Sequence, residues 1–99
     1  MVRIPKSLQP ILWSGDISKM DITKDKAYII HQILSHGTLK QFVWLFHTYP
    51  KSDILHIFLT HPIKAYRSVR FHFIKTYILS IRSALDPRRY VENTPRIIG

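Results

Sequence analysis

The sequence predicts an all-α domain, a small bundle of four to five short helices. The chain has 99 residues, of which 45% are hydrophobic, and this is enough apolar material for one small core. Prolines and isolated glycines divide the chain into segments of helical length, and apolar residues within these segments recur at helical spacing. We expect residues 1–92 to form a single helical domain and residues 93–99 to form a flexible tail.

The N-terminal part is predicted to be irregular and then helical. Residues 4–20 contain Pro5 and Pro10 among apolar side chains, which favours one short helical turn with Trp13 in the core. Asp21 or Thr23 can cap the following helix, and Gly37 can end it in the left-handed conformation. Its inward face comprises Ala27, Ile30, Ile33 and Leu34.

Two further helices follow with short connections. Thr38 is expected to cap the first, which ends at Pro50 and holds Trp44 in the core, and Ser52 to cap the second, which ends before Pro62. Their predicted inward residues are Leu39, Phe42, Val43, Phe46 and Tyr49 in the first and Ile54, Leu55, Phe58 and Leu59 in the second. This helix, short turn, helix arrangement predicts a helix-turn-helix-like central pair.

The C-terminal part is predicted to hold one longer helix and one turn. Ser68 can begin a helix that runs to about Ser83, with a broad apolar arc from Phe73 to Ile81. Asp86 followed by Pro87 is an N-cap and N1 pair, so a last helical turn is expected there.

Positive charge is concentrated late in the sequence. The 15 Lys and Arg against 6 Asp and Glu give a formal charge of +9, and residues 61–99 hold eight of the bases but two of the acids. Lys75 and Arg82 are seven apart and would share a helical face. We expect this region to form one surface that binds a negatively charged partner. Its predicted contact residues are Lys64, Arg67, Arg70, Lys75, Arg82, Arg88, Arg89 and Tyr90.

Two partners fit such a surface. An acidic protein would meet these cations together with exposed aromatic anchors, for which Tyr66, Phe71 and Tyr90 are the candidates. DNA or RNA is the alternative, with the central helix pair entering a major groove. Residues 54–60 offer a groove-reading helix no Arg, Lys, Asn or Gln, which disfavours base readout.

Catalytic and cofactor chemistry finds no support in the sequence. The pairs His31/His36 and His56/His61 are each five apart, a spacing that turns the two side chains away from each other on a helix. The acids are sparse, cysteine is absent and the three glycines are isolated. We therefore expect a protein that is not an enzyme and binds no metal or cofactor. Without a signal peptide or a membrane span, a cytoplasmic location is the default.

The N-terminal half resembles a small bacterial and archaeal family of all-helical proteins that has no established activity. The residues that carry the resemblance are Ile4-Pro5-Lys6, Leu8-Gln9-Pro10, Leu12-Trp13-Ser14, Asp16-Ile17, Asp21, Lys24-Asp25-Lys26, Gly37, Trp44-Leu45-Phe46 and Tyr49. The chain departs from the family pattern at Gly15, at Pro50 and over residues 70–73. Members are often encoded beside nucleotidyltransferase-like toxins of the abortive-infection type. The resemblance therefore implies an antitoxin-like role in bacterial defence, with that toxin as the acidic partner.

Overall fold

The computed structural model describes residues 4–13 and 15–91 and is all-α, as predicted. Four α-helices form the body, and the last continues as one π-helical turn, Ile74–Ile78. The α-helices are α1 (Lys26–His36), α2 (Leu39–Thr48), α3 (Lys51–Thr60) and α4 (Ser68–Phe73). Short 3₁₀ helices span Lys6–Leu8, Ile17–Lys19 and Pro87–Arg89. Residue 92 and the predicted tail, 93–99, lie outside the described residues.

Helix α1 is the centre of the bundle, and both α2 and α3 pack against it. Its residues Ile29, Ile30, Ile33 and Leu34 are fully buried. Such a wide apolar surface is typical of a helix enclosed by its neighbours. None of the described helices has the length and apolar character needed to span a bilayer.

The turn before α1 is closed by Asp21, whereas the N-cap position of the helix belongs to Asp25, whose side chain makes no capping hydrogen bond. The prediction that Asp21 or Thr23 caps the helix was therefore wrong. One Asp21 carboxylate oxygen accepts hydrogen bonds from the backbone N–H groups of Thr23 and Lys24, at 2.7 and 3.1 Å. Asp25 in turn accepts from the Asp21 N–H at 2.9 Å. These bonds close the turn that precedes the helix, and they hold the pKa of the Asp21 carboxyl below its ordinary value.

Gly37 ends α1 for a steric reason, so the prediction of a left-handed cap was wrong. Its φ of −80° is one that any residue can adopt. A Cβ atom at this position would lie 2.5 Å from the Ile33 carbonyl oxygen and 3.0 Å from an Ile33 methyl carbon. Glycine is required here because the chain passes so close to the preceding turn.

The predicted ends of α2 are confirmed, but its predicted inward face is only partly correct. Thr38 and Gln41 form a reciprocal capping box, and Pro50 follows the end of the helix. Phe42 is buried, whereas Leu39 and Val43 are 69% and 58% exposed. These two residues project beyond the part of α2 that α1 covers.

The start of α3 differs from the prediction because Ser52 lies inside the helix. Pro50 occupies the N-cap position, where no side chain makes a capping hydrogen bond. Ile54 and Phe58 are fully buried as predicted, but Leu59 is 44% exposed. The helix ends at Thr60, before Pro62.

The fourth helix is shorter than predicted. Instead of continuing to Ser83, the backbone widens into the π-helical turn and leaves the helix at Leu79. Ser80 has a positive φ of 54°, and the Lys75 ammonium group donates to the Ile81 carbonyl at 3.0 Å. Lys75 and Arg82 therefore do not share a helical face, because Arg82 lies in the segment after the helix.

The N-terminal segment forms its predicted helical turn around the Gln9 side chain. The Gln9 amide donates to the carbonyls of Leu12 and Gly15, each at 3.0 Å, and its oxygen accepts from the Ile17 N–H at 3.1 Å. Trp13 is 61% exposed, so its predicted core position was wrong. Its ring makes a T-shaped contact with the His36 ring, with centroids 5.3 Å apart.

Trp44 and Tyr49 connect α2 to the rest of the bundle. Trp44 is half-buried and packs against the core, in line with its predicted position. The Tyr49 hydroxyl donates to the Ile22 carbonyl at 2.6 Å. Burial, reinforced by the nearby Asp21 and Asp25 carboxylates, raises the pKa of Tyr49 to about 12.

Candidate basic interface

Two segments that are far apart in sequence lie side by side at the C-terminal end of the domain. The Tyr66 N–H donates to the Tyr90 carbonyl at 2.9 Å, and Tyr66 forms a parallel bridge with Val91. This pairing brings the backbone segment that carries Lys64 and Arg67 alongside the turn that carries Arg88 and Arg89. We call these four residues, Lys64, Arg67, Arg88 and Arg89, the basic cluster.

The basic cluster rests on a buried set of aromatic rings. Tyr90 stacks on Phe58 and on Phe71, with ring centroids 4.7 and 4.9 Å apart. The ring of Tyr66 meets Phe58 edge-on at 5.7 Å, and the Tyr90 hydroxyl donates to the Phe58 carbonyl at 2.7 Å. Such ring pairs stabilise a core beyond the apolar area they bury. These ring contacts hold in place the two segments that carry the basic cluster.

This burial contradicts the predicted aromatic anchors. Tyr66, Phe71 and Tyr90 are 0%, 8% and 2% exposed, so they cannot contact a partner as surface side chains. Tyr90 is therefore removed from the predicted contact residues. These aromatic residues lie beside arginines in the sequence, but the fold turns their rings inward. Burying an aromatic ring stabilises the folded state more than leaving it in solvent does.

His31 joins the aromatic core to the connector after α3. Its Nδ1 lies 2.8 Å from the Tyr66 hydroxyl oxygen, and its Nε2 lies 2.7 Å from the His61 carbonyl oxygen. A carbonyl oxygen can only accept, so neutral His31 carries its proton on Nε2 and Nδ1 accepts from Tyr66. Burial lowers the pKa of His31 and raises that of Tyr66. Both groups are held neutral, in a structural role that the sequence alone did not reveal.

Two of the predicted contact cations are engaged within the fold. The Arg70 guanidinium donates to the carbonyls of Leu34 and Gly37 at 3.2 and 3.0 Å, and it lies over the Phe42 ring at 5.7 Å. It thereby satisfies carbonyls at the C-terminus of α1. Lys75 is committed to the Ile81 carbonyl. Arg70 thus joins α4 to the end of α1, and Lys75 joins the π-helical turn to the segment that follows it.

The remaining predicted cations are exposed. Arg88 is 89% exposed and contacts Asp86 at 3.1 Å, where its hydrogen bonds lower the pKa of the Asp86 carboxyl. Asp86 also caps the turn as predicted, since it accepts from the Arg88 N–H. Within residues 4–13 and 15–91, the ion pairs are Lys26–Asp53 and Arg88–Asp86. Neither of them involves Lys64, Arg67, Arg82 or Arg89.

The histidines and acids do not converge in the part of the chain that the structure describes. No three His, Asp or Glu side chains there are placed to hold a metal ion. His56 and His61 come within 6.3 Å between ring centroids, but His61 is hydrogen bonded to the Thr60 hydroxyl at 2.8 Å.

Residues 8–58 match a family of unknown function (DUF6922), and this stretch is just over half of the chain. The chain belongs to the DUF6922 family. Comparison with curated proteins and with solved structures gives no match. The DUF6922 match spans α1, α2 and most of α3 and ends before Lys64. The basic cluster is therefore built by the residues that follow the matched region.

Proposed function

We propose that this DUF6922 protein is a non-enzymatic binding protein that contacts an acidic protein partner through the basic cluster. The observation that supports the proposal is the pairing of Tyr66 with Tyr90 and Val91, which brings the backbone segment that carries Lys64 and Arg67 alongside the Arg88–Arg89 turn. A cluster of exposed cations on a rigid base increases the rate of association with an acidic surface and fixes its orientation.

The partner that we propose is a nucleotidyltransferase-like toxin, which the family resemblance implies. Such enzymes hold metal and nucleotide with clustered carboxylates. A basic protein bound over that cleft blocks nucleotide entry by charge and by bulk, and this action requires no catalytic group of its own. The protein would then act as an antitoxin-like component.

Nucleic-acid binding is the alternative. Lys51, Ser52 and His56 are exposed on α3, but the C-terminal end of its exposed side is poorly suited to reading base edges. The Thr60 hydroxyl donates to the His56 carbonyl at 2.6 Å, so it is engaged within its own helix. Leu59, which is 44% exposed, offers an apolar surface where a recognition helix needs donors and acceptors. An acidic protein needs no such code.

The test is capture of partners from the native host by a wild-type bait, with bound protein and bound nucleic acid both identified. The bait is compared with a triple variant, Lys64→Glu, Arg67→Glu and Arg89→Glu. The matched control is Lys6→Glu, Lys19→Glu and Lys40→Glu, three exposed cations outside the cluster that change the net charge equally. We expect a stoichiometric complex with an acidic protein that the triple variant loses and the control keeps.

Salt dependence separates the two candidates. For an acidic protein, added salt should slow association more than it speeds dissociation, because long-range attraction acts on the encounter. Association rates that are equal at low and high salt would contradict the proposal. Binding of duplex DNA with a steep fall of log affinity against log salt would replace it with the nucleic-acid alternative.

A further inference from the structure

An apolar groove runs between α2 and the π-helical turn, on residues that the basic cluster does not include. Its volume is about 640 Å³. Its lining includes Leu39, Val43, Phe46, Lys51, Tyr77 and Ile78. Three of its apolar side chains are largely solvent-exposed, since Leu39, Val43 and Tyr77 are 69%, 58% and 69% exposed. Exposed apolar side chains that are contiguous mark a binding surface more often than scattered ones.

The floor of the groove has the spacing of a helix-binding surface. Leu39, Val43 and Phe46 lie at positions i, i+4 and i+7 of α2, so they form one stripe about 10 Å long. Amphipathic helices seat their apolar face in grooves of this kind through anchors at the same spacing. An occupant of about two to three helical turns fits this length.

The opposite wall is formed by backbone that departs from α-helical geometry. Tyr77 and Ile78 belong to the π-helical turn, and Ser80 just after it has a φ of 54°. π-helical turns and residues with positive φ cost free energy and occur often at functional sites. Here the turn directs Tyr77 and Ile78 to the groove, where they face the α2 stripe.

The charge around the groove determines the kind of occupant. Lys51 and His47 are the basic residues of its lining, and no Asp or Glu among the described residues lines it. The adjacent acid on α3, Asp53, is engaged by Lys26 at 3.6 Å. A second copy of this chain would bring together two molecules that each carry a formal charge of +9. This positive charge repels a second copy of the chain but attracts an acidic partner.

We propose that this groove binds an amphipathic helix with acidic side chains, supplied by a partner protein. The apolar anchors of that helix pack on Leu39, Val43 and Tyr77, and its acids face Lys51. The groove and the basic cluster share no residue, so the two proposals fail or succeed separately.

The test uses a fluorescent synthetic peptide of about fourteen residues, with Leu at helical spacing and Glu on the opposite face. A second peptide replaces every Glu by Lys. Fluorescence anisotropy measures the Kd for wild type and for the double variant Leu39→Ser and Val43→Ser, with its fold checked by circular dichroism. The control is Val69→Ser, because Val69 is 81% exposed and lies outside the groove. Charge is tested by Lys51→Glu against Lys19→Glu.

We expect the acidic peptide to bind the wild type more tightly than the basic peptide. The double variant should weaken binding at least about tenfold, as loss of central apolar anchors does, and Lys51→Glu should weaken it severalfold. Val69→Ser and Lys19→Glu should leave the Kd unchanged. Equal binding of the two peptides, an unchanged Kd in the double variant, or no binding up to millimolar peptide would each overturn the proposal. A dimer in sedimentation that the double variant abolishes would assign the groove to a second copy instead.

Discussion

The hydrogen bond between His31 and Tyr66 gives the sharpest test of the core. Tyr66→Phe keeps the ring and its contacts with Phe58 and removes only the hydroxyl group. The variant leaves Nδ1 of His31 without a donor in a side chain that is 1% exposed. Nε2 stays bound to the His61 carbonyl, so the imidazole cannot change tautomer without losing that bond as well.

The expected cost follows from this geometry. A buried acceptor left unsatisfied destabilises a protein by about 1–3 kcal/mol. For a domain of this size each kcal/mol lowers the Tm by about 4–8 °C. Thermal unfolding followed by circular dichroism, together with urea unfolding, measures the change. Tyr77→Phe is the matched control, because its ring is 69% exposed and its hydroxyl makes no hydrogen bond within the described residues.

A double-mutant cycle isolates the pair. Tyr66→Phe combined with His31→Leu removes both partners, so the two losses should not add, and a coupling free energy above about 0.5 kcal/mol is expected. If Tyr66→Phe unfolds at the same temperature as Tyr77→Phe, or if the coupling is zero, the reasoning about this buried pair is refuted.

Three further predictions concern pH, Arg70 and Gly37. Because burial lowers the pKa of His31 below the ordinary value of 6.5, the unfolded chain binds its proton first as pH falls. The free energy of unfolding should therefore be at its full value above pH 6.5 and decline below it. Urea midpoints measured from about pH 8 to about pH 5 should decline less in His31→Gln than in the wild type. Parallel curves for the two proteins would contradict the assignment of this pH dependence to His31. Arg70→Met should lower the free energy of unfolding by about 1–3 kcal/mol, because its hydrogen bonds to α1 are lost. Arg67→Met is the control and should change this free energy little in the same urea titration. Equal losses in the two variants would refute the conclusion that Arg70 stabilises the fold and Arg67 does not. Gly37→Ala should cost about 1–3 kcal/mol in thermal unfolding because its Cβ meets the Ile33 carbonyl, and an unchanged Tm would show that the steric account is wrong.

Local signals predicted the parts of the fold that depend on neighbouring residues. Thr38 and Gln41 supply the capping box of α2, Pro50 separates α2 from α3, and Asp86 with Pro87 starts the last turn. Each acts within a few residues of itself, so its effect can be inferred from the sequence alone. The same signals were insufficient at Ser52, because Pro50 with its fixed φ starts the helix two residues earlier.

The candidate site depended on contacts that no local pattern contains. Arg70 and Arg67 are three residues apart and both look like free cations in the sequence. Arg70 reaches the Leu34 carbonyl, which is 36 residues away along the chain, and its charge serves the fold. Arg67 meets no acid among the described residues. Only the tertiary structure separates these two roles.

The aromatic residues show the same division. Tyr66, Phe71 and Tyr90 stand beside arginines in the sequence, a composition typical of interface anchors. The fold buries them because Phe58 and His31 bring matching surfaces and hydrogen-bond partners to them.

The sequence by itself determined that the chain is helical, where α2 begins and ends, and that its positive charge lies late. These properties follow from side-chain chemistry and short-range spacing. Tertiary structure alone decided which cations are free, which aromatics are buried and where an apolar groove opens. Burial and hydrogen bonding are satisfied by whichever surface the folded chain brings near, and that surface comes from residues distant in sequence.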